Sequence, residues 1–123
     1  LFKNGGIAER DISYPDALTV VRAAREQGGV PVLAHPQQMD SWGAIPELVK
    51  AGLMGIEAFH PDNDAVATEE AFRLARQYGI VCTGGSDYHG RYGAPECVGS
   101  CFITPDEAGE SVAQLFDQER LLA

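Results

Sequence analysis

The sequence predicts an α/β domain in which parallel strands alternate with helices. Apolar runs at 30–34 and 79–82 and the stretch 55–59 read as strands, the first with the continuous pattern of a strand buried on both faces. Stretches with apolar residues at helical spacing separate them, and the connections are only a few residues long. That order implies right-handed crossovers, and so a parallel sheet or barrel.

Residues 1–12 show no periodicity and contain Gly5-Gly6, so they read as an irregular lead-in. Ser13-Tyr14-Pro15-Asp16 offers an N-cap, a proline in the first turn and an acid at the third helical position. Ala17, Val20, Val21 and Ala24 then repeat at helical spacing until Gly28-Gly29 stops the helix. Residues 30–34 form the first strand, with Pro31 at its beginning, and His35-Pro36 follows at once. Residues 46–52 make a second helix with proline near its start and glycine at its end. The strand 55–59 runs into His60-Pro61, and a third helix covers about 65–78, with Ala71, Leu74, Ala75 and Tyr78 on one face and Gly79 as its stop. Residues 79–82 lead into Thr83-Gly84-Gly85-Ser86-Asp87-Tyr88-His89-Gly90, where two glycines permit turns closed to other residues. After a loop over 91–95, residues 98–103 read as a further strand. Thr104-Pro105-Asp106-Glu107 is a capping box for a last helix using Val112, Leu115 and Phe116.

A chain of 123 residues is enough for one small domain and too short for two. Its 45% apolar and 22% charged residues exclude disordered and collagen-like classes. No apolar run approaches the roughly 20 residues that cross a bilayer, and the N-terminus lacks a secretory pattern, so the reading is soluble and cytoplasmic, with no membrane partner. A formal charge of −9 argues against tight, non-specific nucleic-acid binding, which needs clustered Lys and Arg, yet leaves room for a small anion if metal ions bring positive charge. Cys82, Cys97 and Cys101 lack the spacing of a zinc ribbon or disulfide framework, and Cys82 reads as a small core residue. The chain opens on Leu1 rather than Met, and it reads as a piece of something longer.

All three histidines lie just past the carboxyl ends of predicted strands: His35, His60 and His89. In parallel α/β folds that edge is where sites assemble. Asp87 stands beside His89, and a carboxylate with imidazoles suits a borderline divalent cation. His35, Asp87 and His89 are the candidate metal ligands. His60 could be a ligand, a supporting donor, a contact for an anionic oxygen or a strand-end histidine bonded to backbone. Glu57 shares a strand face with Phe59 by alternation; beneath the site it could support a ligand, and a salt bridge to an arginine explains it equally. Arg91 could pair with a phosphate oxygen or stay solvated.

Ala34-His35-Pro36, Gly55-Ile56-Glu57-Ala58-Phe59-His60-Pro61 and Thr83–Gly90, in this order, resemble the later motifs of the PHP (polymerase and histidinol phosphatase) superfamily, above all its stand-alone metal-dependent phosphoesterases. The resemblance implies a distorted seven-stranded β/α barrel with two or three divalent ions (Mn, Zn, Fe or Mg) at the carboxyl ends of its strands. His35 then matches the AHP ligand, and Asp87 and His89 the GSDxH ligands. The implied activity is hydrolysis of a small phosphate ester, a nucleotide first of all, by a metal-activated hydroxide, with His60 or Arg91 orienting the phosphate. The family's opening His-x-His is absent, so residues 13–123 correspond to the carboxyl-terminal portion of the domain, its N-terminal strands absent, and the isolated chain is expected to be inactive. The rival readings are an exonuclease or polymerase-associated PHP domain, and a non-catalytic module that self-associates through an exposed barrel edge.

Overall fold

A computed structural model of the chain describes residues 13–91, 93, 97–109 and 112. The lead-in over 1–12, and Leu115 and Phe116 of the expected last helix, lie outside the described residues. Helix α1 (Ala17–Glu26) is followed by strand β1 (Val32–Leu33), a 3-10 turn (Trp42–Ala44), helix α2 (Ile45–Ala51), strand β2 (Gly55–Phe59), helix α3 (Ala65–Tyr78), strand β3 (Val81–Gly84) and a short helix α4 (Pro105–Ala108). The three strands form one parallel sheet in the order β1-β2-β3.

Local chemistry accounts for the boundaries. Asp16 caps α1 by accepting from the Thr19 N–H, so the helix starts after Asp16 and the expected Ser13 cap lies outside it. Gly52 and Gly79 close α2 and α3 in the left-handed conformation. Thr104 and Glu107 form the reciprocal capping box read from the sequence. Pro31 precedes β1, and its carbonyl accepts from the Met54 N–H.

Two cores sit between helices and sheet. Ile45, Ile56, Ala58, Ala71, Leu74, Ala75 and Cys82 make the larger; Val21, Leu48 and Leu53 make the smaller, under α1. Ile45 and Ile56 are fully buried, each contributing about 1.5–3 kcal/mol of hydrophobic stabilisation. Burial holds the Cys82 thiol up to about 11, which keeps it an inert core residue.

Further sequence expectations change. The first strand is short and half open: among the described residues it pairs only with β2, which leaves Val30 and Val32 exposed. On α1, Val20 is exposed; Leu18 and Val21 face the small core instead. Residues 98–103 form no strand, because Gly99 is left-handed, the Ser100 N–H turns back to the Cys97 carbonyl, and Ser86 Oγ takes the N–H groups of Gly99 and Cys101.

The pairing of β2 with β3 contains an irregularity: Glu57 faces Thr83, but Phe59 faces Gly84, so Ala58 is an extra residue on β2. This breaks the expected alternation. Glu57 reaches the end of β1, while Phe59 packs edge-on against Phe72 of α3 with ring centroids 5.6 Å apart. The carbonyls at the bulge are satisfied from the following turn, by Asn63 Nδ2 (3.3 Å to Glu57 O, 2.9 Å to Ala58 O) and Thr68 Oγ1 (3.2 Å to Ala58 O).

Gly84, at the end of β3, has no room for a side chain. A Cβ there would come within 2.9 Å of Phe59 Cβ and 3.1 Å of the Ile103 and Phe102 backbone. Gly84→Ala should therefore destabilise the domain by about 1–3 kcal/mol in urea unfolding. Gly43→Ala, with nothing within 4 Å of its new Cβ, should change stability far less.

Candidate metal and phosphate site

The carboxyl ends of β1, β2 and β3 bring the three histidines to one edge, as the sequence order implies. The rings of His35 and His60 meet edge to face, centroids 5.5 Å apart. His60 Nε2 lies 3.5 Å from Asp87 Oδ2, and His89 Nδ1 lies 3.6 Å from Asp87 Oδ1. Asp87 thus stands between His60 and His89. Arg91 is exposed on the turn just beyond.

Hydrogen bonds give the histidines different protonation patterns. The His60 ring is buried, and its Nδ1 accepts the Asp62 backbone N–H at 3.0 Å. A neutral His60 must then carry its proton on Nε2, which has no hydrogen-bond partner. It is built as a donor rather than as a ligand. His89 is the reverse: its Nδ1 lies 2.6 Å from the Asp87 carbonyl, which can only accept. The proton is on Nδ1, and the Nε2 lone pair is left for a cation, the arrangement common in metal-ligating histidines. His35 keeps a buried Nδ1 with no partner.

The backbone is strained at the same places. Among the described residues, the non-glycine positions with positive φ are His35 (+32°), Asp40 (+47°) and Asp87 (+49°), so two of the three are candidate ligands. Left-handed backbone costs a non-glycine residue roughly 1–2 kcal/mol, and such strain gathers at functional sites. The glycines before Asp87 act by close approach: Gly84 has no room for a side chain, and a Cβ on Gly85 would sit 3.3 Å from Glu57 Oε1.

Sequence reading missed three supports, Ser86, Asn63 and Gln38. Ser86 Oγ donates to the Cys101 carbonyl at 3.1 Å while accepting from Gly99 and Cys101, which pins the 97–101 loop to the Asp87 turn and leaves its hydroxyl engaged. Asn63 ties the His60 turn to the β2 bulge, and Gln38 Nε2 joins the β1 and β2 loops by donating to Asp62 Oδ2 at 2.9 Å. A Ser between Gly85 and Asp87 and an Asn soon after a strand end were the available signals, since both types bond readily to nearby backbone.

The donor chemistry fits a divalent cation, with the orphaned buried nitrogen of His35, the open Nε2 of His89 and the Asp87 carboxylate. Among the described residues, no three His, Cys, Asp or Glu side chains are gathered tightly enough to enclose an ion.

The chain was compared with known proteins. Residues 67–120 match the PHP-associated family. Over 99 residues the chain is 54% identical to the phosphoribosyl 1,2-cyclic phosphate 1,2-diphosphodiesterase of Eggerthella lenta, an alignment covering 80% of this chain and 38% of that protein. A crystal structure from Bifidobacterium adolescentis, provisionally described as a metal-dependent phosphoesterase, is similar with a TM-score of 0.74 and 27% identity, over 91% of this chain and 40% of that one. The chain therefore spans about two fifths of each of these relatives.

Nitrogen-15 NMR of the imidazoles above their titration range should find His60 with its proton on Nε2 and His89 with its proton on Nδ1. The same tautomer at both would refute the division between donor and ligand.

Proposed function

Because the chain belongs to the PHP superfamily, we propose that the protein carrying it hydrolyses a small phosphate ester with the help of divalent metal ions. The observation that carries this reading is the single edge on which Asp87 stands between a donor-type His60 and a ligand-type His89. The sheet is read as three strands of the family's distorted seven-stranded barrel.

His35, Asp87 and His89 would hold metal, two or three ions of Mn, Zn, Fe or Mg in the whole domain. When bound, such ions neutralise charge on phosphoryl oxygens and lower the pKa of water. His60 offers Nε2–H to a phosphoryl oxygen, and the Asp62 N–H on its other nitrogen keeps the proton on that side. Arg91 adds a guanidinium whose paired N–H groups match two phosphate oxygens. Cys82 and Cys97 are thiols outside any disulfide, which suits a cytoplasmic enzyme.

The substrate class is a phosphorylated ribose. A mononucleotide is the form read from the sequence, and the Eggerthella relative's name adds a phosphoribosyl cyclic phosphate. The negative charge weighs against long nucleic acids.

The test uses the manganese-loaded protein that carries this chain, offered mononucleotides, a ribose cyclic phosphate and a short oligonucleotide. Hydrolysis of a ribose ester is expected, and His89→Ala or Asp87→Asn should lower kcat/KM by at least about 10–100-fold. His60→Ala should cost about 100-fold in kcat through a lost oxyanion donor. Equal turnover by the His89 variant would sink the proposal, and stepwise shortening of the oligonucleotide would favour the nuclease reading.

A further inference from the structure

Glu57 links two of the turns at this edge. Its Oε2 accepts the His35 backbone N–H at 2.7 Å. Its Oε1 lies against Gly85, at the position where a Cβ would come within 3.3 Å. One carboxylate therefore touches the turns that carry His35 and Asp87, and both of those residues have left-handed backbone.

The contact with His35 also ends β1. A further step of the β1–β2 ladder would commit the chain to extended geometry. The last paired residue is instead Leu33, opposite Ile56, and two positions on the amide turns to a side chain of β2. A side-chain acceptor can follow a backbone of φ +32° where a ladder carbonyl fixed in the sheet cannot. The bulge at Ala58 keeps Glu57 on this side while Phe59 turns to α3.

Resting on the metal-site reading above, we propose that Glu57 is a positioning residue: its carboxylate holds the strained His35 backbone so that the imidazole joins Asp87 and His89, and Gly85 is small so that the carboxylate can lie there. It acts through His35 and binds no metal itself. This role differs from the arginine salt bridge that the sequence left open, because the partner is an amide whose conformation it sets.

Three variants of the protein that carries this chain test it: Glu57→Ala, Glu57→Gln and His35→Ala. In metal-free protein, Glu57→Ala should move the His35 amide proton upfield and speed its exchange. Isothermal titration with Mn²⁺ should show affinity lowered by about 10–100-fold, the usual effect of losing a residue that orients a ligand. Glu57→Gln keeps an acceptor and should recover most of both signals. If Glu57→Ala leaves the His35 amide or the Mn²⁺ affinity unchanged, or if it lowers only the melting temperature, the proposal is overturned. The same holds if Glu57→Gln is as damaging as Glu57→Ala. Should Glu57→Ala fail to fold, Glu57→Asp, one methylene too short to reach the amide, should show the same two losses and decides in its place. Unchanged Mn²⁺ affinity in His35→Ala would instead refute the metal-site reading, and the amide signals would still report whether Glu57 holds that turn.

Discussion

The extra residue at Ala58 is the constraint on which the site depends. In a regular parallel pair, Glu57 and Phe59 would share a face, and one of them would have to leave either the site or the core. With the bulge, Glu57 faces His35, Phe59 packs on Phe72, and His60 follows with its ring buried 3.5 Å from Asp87. Bulges disturb the ladder, and here the exposed carbonyls are taken up by Asn63 and Thr68 rather than left unpaired. Phe59 just beyond the bulge and the backbone of residues 102–103 together exclude a side chain at Gly84.

The same edge sorts its histidines through backbone contacts. An amide donates to His60 and a carbonyl accepts from His89, so two chemically identical rings present a proton and a lone pair respectively. With a formal charge of −9, and with Glu57, Asp62 and Asp87 near this edge, a phosphate bound as proposed would need positive partners. A donor histidine, an exposed arginine and bound cations are the kinds of group that can offset that field locally.

Much of this was legible in the sequence. The β2 boundaries, α3 with its glycine stop, the Thr104 capping box and the gathering of His35, His60, Asp87 and His89 at one edge all follow from periodicity and turn chemistry. What was hidden depended on tertiary contacts. The 98–103 segment has strand-like composition, but Ser86 captures its amides, and that competition involves a residue far away in sequence. The bulge was hidden because Ala58 is an ordinary strand residue; only the packing of Phe59 on Phe72 shows which way the chain turns. Val20 on α1 has the right spacing, but the small core under that helix is filled from Leu18 and Val21.

Strain and stability are divided between different parts of the domain. The cores around Ile56 and Leu48 lie on the helix-covered side, built from regular elements closed by ordinary caps. The left-handed residues His35 and Asp87 lie at strand ends, beyond those cores, and each is held by a specific contact. His35 is held through Glu57, and the Asp87 turn through Ser86 and the His89 ring. Strain of roughly 1–3 kcal/mol at each position is tolerable because the surrounding structure over-determines it, and a chain free to relax there would lose the alignment first and the fold second. The site is therefore expected to be more sensitive than the core to the small residues around it. Gly85, which makes room for a carboxylate rather than for a turn, shows how a residue with no chemistry of its own can set the geometry of residues that have it.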